Sequence, residues 1–69
     1  MMTTVDARGL SCPEPVVLTM KAVSTNENSY EVLVDSPVCV ENVSRFAKNK
    51  GFQVAVKPDG DTFILTLTR

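Results

Sequence analysis

Two thiols, Cys12 and Cys39, stand out in a sequence of 69 residues that has no histidine. A cysteine reacts through its thiolate, so its reactivity depends on what lowers its pKa from about 8.5. Cys12 lies in Asp6-Ala7-Arg8-Gly9-Leu10-Ser11-Cys12-Pro13-Glu14-Pro15, between a glycine and two prolines. Gly9 allows the positive φ that a sharp strand-to-helix turn needs. Pro13 holds its own φ near the helical value, and its missing N–H matters little in the first turn of a helix, where N–H groups have no intrahelical partner. Pro15 is tolerated for the same reason. Each proline also pushes the residue before it out of the α region. The helix therefore starts either after Cys12 or after Glu14, and Ser11 with Glu14 has capping-box spacing. Either start leaves Cys12 within roughly one turn of a helix N-terminus.

That location favours the thiolate. A helix start carries roughly half a positive elementary charge and unsatisfied N–H donors. Arg8 adds to the effect and Glu14 opposes it. The competing reading makes Cys12 a small buried apolar residue, the common fate of cysteine. A proline-rich cap on a turn is a poor place for a core residue, so Cys12 is read as a nucleophile.

The stretch resembles the signature of the TusA/SirA-like sulfur-carrier family, in which Cys-Pro-x-Pro follows Asp-x-x-Gly-Leu. Asp6, Gly9, Leu10, Cys12, Pro13, Glu14 and Pro15 occupy those positions. Lys21-Ala22, Asp35-Ser36-Pro37, Glu41-Asn42-Val43-Ser44-Arg45-Phe46-Ala47 and Gly51-Phe52 also fall where such proteins place similar residues. The resemblance thus covers nearly the whole chain, and its details are similar to the YedF branch, associated with selenium metabolism. It implies one domain over residues 1–69 and a mixed four-stranded sheet with both helices on one side. It implies sulfurtransferase-like chemistry without a cofactor, in which Cys12 takes sulfane sulfur as a persulfide from a protein donor such as a cysteine desulfurase. A protein acceptor in tRNA thiolation or other sulfur or selenium delivery would receive it.

The elements that must position Cys12 follow from periodicity. Thr3 to Ala7 is predicted to be a strand with Val5 and Ala7 on one face. A helix is expected from about Pro13 to Ser24, with Val16, Val17, Met20 and Val23 as its inner stripe. Tyr30 to Asp35 alternates as a second strand, with Tyr30, Val32 and Val34 on the core face. Asp35-Ser36-Pro37 marks a second helix start, with Val40, Val43 and Ala47 inward, Phe46 at one edge, and Gly51 as the stop after Lys50. Phe52 to Lys57 and Thr62 to Thr68 alternate again, joined by a turn at Pro58-Asp59-Gly60. The order β-α-β-α-β-β, with alternating strands, predicts an α+β two-layer sandwich with helices on one sheet face. If the first two strands are parallel neighbours, both helices begin at one edge, which brings Cys39 near Cys12. Cys39 is read first as a small residue packed in the first turn of the second helix, and second as a thiol that resolves oxidised Cys12.

Composition narrows the function classes. Seven basic and eight acidic residues give a formal charge of −1, so no dominant attraction to nucleic acid or anionic membrane is expected. No run approaches the ~20 apolar residues of a membrane span, and Met1 to Asp6 lacks a signal-peptide pattern, so a cytoplasmic location is expected. Two thiols fall short of a four-ligand zinc site, and none is expected. Asp6 reads as a turn-forming carboxylate. Arg8, Arg45 and Lys48 are candidate partner contacts, with Lys50 beside the last two. Leu33, Ala55 and Ile64 on the uncovered sheet face suggest weak self-association or docking of a second domain. A non-catalytic, redox-sensitive interaction module is the alternative function, with a small RNA-binding domain behind it.

Overall fold

The computed structural model describes residues 3–11 and 14–69; Met1, Met2, Cys12 and Pro13 lie outside the described residues. In chain order the elements are β1 (Thr3–Asp6), α1 (Glu14–Val23), β2 (Ser29–Val34), α2 (Pro37–Asn49), β3 (Gln53–Asp59) and β4 (Thr62–Thr68). The sheet order is β1-β2-β4-β3, with β1 and β2 parallel and the other pairs antiparallel. This is the α+β arrangement expected from the alternation of the strands, with the mixed four-stranded sheet that the family resemblance implied.

One face of the sheet supplies Tyr30, Val32, Val34, Leu65 and Leu67 to the core, and α2 adds Cys39, Val43 and Ala47. The α2 residues recur at i, i+4 and i+8, the spacing of one helical face. The helix ends in a Schellman motif: Gly51, with φ 90°, donates its N–H to Lys48 O, and Phe52 donates to Ala47 O. Tyr30 is fully buried, yet its hydroxyl accepts the Glu27 N–H at 2.8 Å and lies 3.0 Å from Thr25 Oγ1. A buried phenol is thus satisfied, and the loop between α1 and β2 is tied to the core.

Three expectations need correction. The inner face of α1 is formed by Pro15 and Thr19, both buried, flanked by half-buried Val16, Leu18, Ala22 and Val23. Val17 is 39 % and Met20 49 % exposed. The expected stripe was rotated by roughly one residue, about 100°. Apolarity alone chose the larger residues, whereas Thr19 can be buried because its hydroxyl donates to Pro15 O at 2.8 Å. The hairpin turn also shifts. Asp59 pairs with Thr62 and Pro58 with Phe63, leaving Gly60-Asp61 as a two-residue turn. Gly60 has φ 62° at its first central position, as a type II′ turn requires. Pro58 is accommodated because β3 is an edge strand. The alternation of Phe52 to Lys57 places Val56 on the face of buried Phe52, yet Val56 is exposed on that same edge strand.

The uncovered sheet face is less apolar than its residue types suggest. Leu33 and Ile64 are cross-strand partners, but Asp6 and Lys57 bracket them in the same row.

Within α2, the buried Ser44 Oγ has no hydrogen-bond partner among the described residues. An unsatisfied hydroxyl is costly, and alanine is the better helix former. Ser44→Ala is expected to stabilise the fold by about 1 kcal/mol and raise Tm by a few degrees in a thermal melt.

Candidate functional site

The site is built on the turn that leaves β1. Ala7 continues the strand pairing by donating its N–H to Leu33 O at 2.8 Å. Arg8 then folds back on Asp6: Nε reaches Oδ1 at 2.9 Å, the terminal guanidinium nitrogen reaches Oδ2 at 2.8 Å, and the Arg8 N–H donates to Oδ1 at 3.2 Å. This two-pronged contact lowers the Asp6 pKa to about 2, chiefly through the guanidinium hydrogen bond, and raises that of Arg8. Both side chains are about half exposed, so the pair shapes the turn more than it stabilises the fold. Arg8 is thus partly committed within its own turn.

Gly9 follows with φ 80°, and beyond its chain neighbours no atom of the described residues stands within 4 Å of where a Cβ would be. The backbone angle alone therefore selects glycine. Its N–H donates to Asp35 Oδ2 at 2.7 Å. Asp35 follows β2 and precedes Ser36, the N-cap of α2, whose extended backbone (φ −136°, ψ 133°) is followed by Pro37. The Ser36 side chain makes no capping bond. Its carbonyl accepts the Val40 N–H at 3.0 Å. The sequence places Asp35 at the end of the second strand and the start of the second helix; its carboxylate also clamps the motif turn. No local pattern gives that carboxylate a partner; the parallel pairing of β1 and β2 sets the two strand exits side by side.

Glu14 is the first residue of α1, and its N–H donates to Ser11 O at 3.0 Å. The Ser11–Glu14 relation is thus a main-chain turn, not the side-chain capping box that the spacing suggested. Pro15 sits in the first turn and is buried, in line with the helix-start reading. Cys12 and Pro13 lie outside the described residues. Their neighbours Gly9, Leu10 and Ser11 line an open cleft of about 380 Å³ with Asp35, Ser36, Val38 and Cys39. Leu10 packs partly against the core, whereas Val38 is 61 % exposed at the cleft. Cys39 is only 2 % exposed and belongs to the core cluster, as the packing reading expected.

The structure does not join all the predicted contacts. Arg45 lies nine residues beyond Ser36 on α2, roughly 13 Å along the helix, and pairs with Glu41 at 3.0 Å. Lys48 is in the last turn of α2, and Lys50 lies over the Phe46 ring, 5.8 Å from its centroid. The basic group therefore belongs to the far end of the helical layer. Among the described residues, no three metal-ligating side chains cluster, and no helix is long and apolar enough to cross a membrane.

Comparison with known proteins places this geometry in context. A family model described as sulfurtransferase TusA matches residues 3–69. A candidate sulfur carrier protein of Methanocaldococcus jannaschii is 36 % identical over 63 residues, which span 88 % of this chain and 84 % of the relative. The crystal structure of a SirA-like protein from Desulfitobacterium hafniense superposes with a TM-score of 0.88 at 29 % identity, covering 99 % of this chain and 96 % of that one.

Two measurements check the turn. The Asp6 carboxyl should titrate at about 2 by carbon-detected NMR, and Arg8→Gln should return it toward its ordinary value of 3.8. Because the folded pKa is depressed, the turn's contribution is complete above about pH 4 and is lost as pH falls toward 2. Asp35→Ala should speed hydrogen exchange at the Gly9 amide by roughly fivefold, the scale of one hydrogen bond. Asp35→Asn, which keeps an acceptor oxygen, should restore part of the protection.

Proposed function

This chain belongs to the TusA sulfurtransferase family, and on that premise we propose that it is a sulfur carrier whose Cys12 holds the transferred sulfur as a persulfide. The observation that carries this reading is that the matched region, residues 3–69, includes Cys12 within its Asp-x-x-Gly-Leu and Cys-Pro-x-Pro surroundings. The clamped turn and the start of α2, which line one open cleft with Gly9 to Ser11, support it.

The chemistry is displacement at sulfur. The Cys12 thiolate attacks the terminal sulfur of a donor protein's persulfide. A new S–S bond forms at Cys12 as the donor's S–S bond breaks, and the donor leaves as a thiolate with that bond's electron pair. The transferred sulfur stays at the sulfane oxidation level from one persulfide to the next, so no oxidant is consumed. An acceptor nucleophile repeats the displacement on the Cys12 persulfide and releases the Cys12 thiolate. Cys12 precedes the first residue of α1 by two positions in the sequence, and the positive end of that helix favours the thiolate. Val38 and Leu10 offer apolar surface for a docking partner beside the motif.

The donor is read as a cysteine desulfurase or a similar persulfide protein, and the acceptor as a component of tRNA thiolation or another sulfur-delivery route. Selenium, the cargo associated with the YedF branch, would follow the same displacement. Cys39 is a packing residue first, and its role as a resolving thiol would require the first turn of α2 to open.

Persulfide loading tests the reading. The reduced protein, incubated with a cysteine desulfurase and cysteine, should gain one sulfur on the Cys12 peptide by mass mapping. The adduct should survive Cys39→Ser and vanish in Cys12→Ser. A folded protein with reduced Cys12 that gains no sulfur from several donors would instead be an interaction module.

A further inference from the structure

Sulfur transfer leaves the opposite end of the helical layer unused. There Met20 and Val23 of α1, Phe46 of α2 and Phe52 line an open groove of about 330 Å³, with Lys50 and Arg69 at its sides. Both cations rest on aromatic faces. The Arg69 guanidinium carbon lies 4.6 Å from the Phe52 ring centroid, and Lys50 Nζ lies 5.8 Å from that of Phe46. Arg69 also donates to Asn26 Oδ1 at 2.9 Å and to Glu27 O at 3.3 Å. Phe52 is itself held, 4 % exposed and edge-on to Tyr30 with centroids 5.7 Å apart. The cations are therefore pre-positioned.

Their charge is not consumed locally. No acidic side chain lines the groove, and among the described residues neither cation forms an ion pair. Cations are common at helix C-termini because they offset the dipole. Here the last carbonyls already have partners: Gly51 and Phe52 amides close α2, and Thr25 and Asn26 amides close α1. Two cations thus flank an apolar floor in a chain whose formal charge is −1. Met20 on the floor is 49 % exposed, and its flexible thioether adapts to varied side chains.

We propose that this groove docks an acidic segment of a partner protein, with an apolar side chain against Met20 and Phe46 and carboxylates against Lys50 and Arg69. A small molecule fits less well, since an open groove cannot bury most of a compact ligand's surface. Nucleic acid fits less well too, since two cations neutralise few phosphates. The docking needs no sulfur on Cys12, so it stands or falls apart from the carrier reading.

The test is an amide and methyl NMR titration of the full chain with a hexapeptide alternating glutamate with leucine, beside a lysine–leucine control. The acidic peptide should shift Met20, Val23, Phe46, Phe52 and Arg69 signals. Its affinity should fall several-fold in Lys50→Gln, further in the Lys50→Gln/Arg69→Gln pair, and again as salt rises from about 0.05 to about 0.3 M. Cys12→Ser should bind as well as the parent chain. Lys50→Gln alone keeps the Arg69 contacts to the loop, so a folding defect in the double variant does not blur the result. Equal shifts with the lysine peptide, shifts centred on Gly9 to Ser11, no shifts at all, or loss of binding in Cys12→Ser would overturn the proposal. So would the same shifts appearing on raising protein concentration alone, which would make a second copy the occupant.

Discussion

The parallel pairing of β1 with β2 is the constraint on which the rest of the molecule depends. Parallel neighbours must be joined by a crossover, and α1 is that crossover. Both strands then end at the same edge, and the turn after each one opens a helix. The Asp35 carboxylate reaches the Gly9 N–H only because of this arrangement. Were the pair antiparallel, the two exits would lie at opposite ends of the sheet, and no cleft would join Ser11 to Cys39.

The core sits behind that edge and holds it still. Tyr30, Val32 and Val34 of β2 occupy the centre of the apolar face, between β1 and β4. A chain of this length buries only ~60 % of its unfolded surface, so local devices matter in proportion. The Schellman stop after α2, the satisfied Tyr30 hydroxyl and the Asp6–Arg8 contact each settle a loop that the small core does not reach. The motif turn is determined by backbone angle and one charged acceptor more than by burial, which leaves it accessible to a protein partner.

The two ends of the helical layer differ in chemical character. At the helix starts, the positive ends of two dipoles favour anions such as a thiolate. At the helix ends, capped carbonyls and two ring-supported cations form a separate surface. A carrier must meet more than one partner in turn, and a fold with distinct ends can present different surfaces to each.

Much of this was legible from the residues alone. Strict alternation in Tyr30 to Val34 and Thr62 to Thr68 identified strands and their buried faces, because the period of two is enforced by the pleat. Gly9, Pro13, Pro15 and the Ser36-Pro37 pair marked the helix starts, because glycine admits the positive φ of the turn and proline fixes its own φ. The Cys12 motif identified the family. Tertiary structure decided the rest. Which face of α1 turns inward depended on Thr19 returning its hydroxyl to Pro15, a bond that residue polarity does not reveal. The turn at Gly60-Asp61 depended on β3 being an edge strand that admits Pro58. Asp35 became the clamp on Gly9, and Arg69 met Phe52 and Asn26, only through contacts between residues distant in sequence. Local backbone preferences are written in the sequence itself, whereas the partners of a carboxylate or a guanidinium exist only once the chain has brought them together.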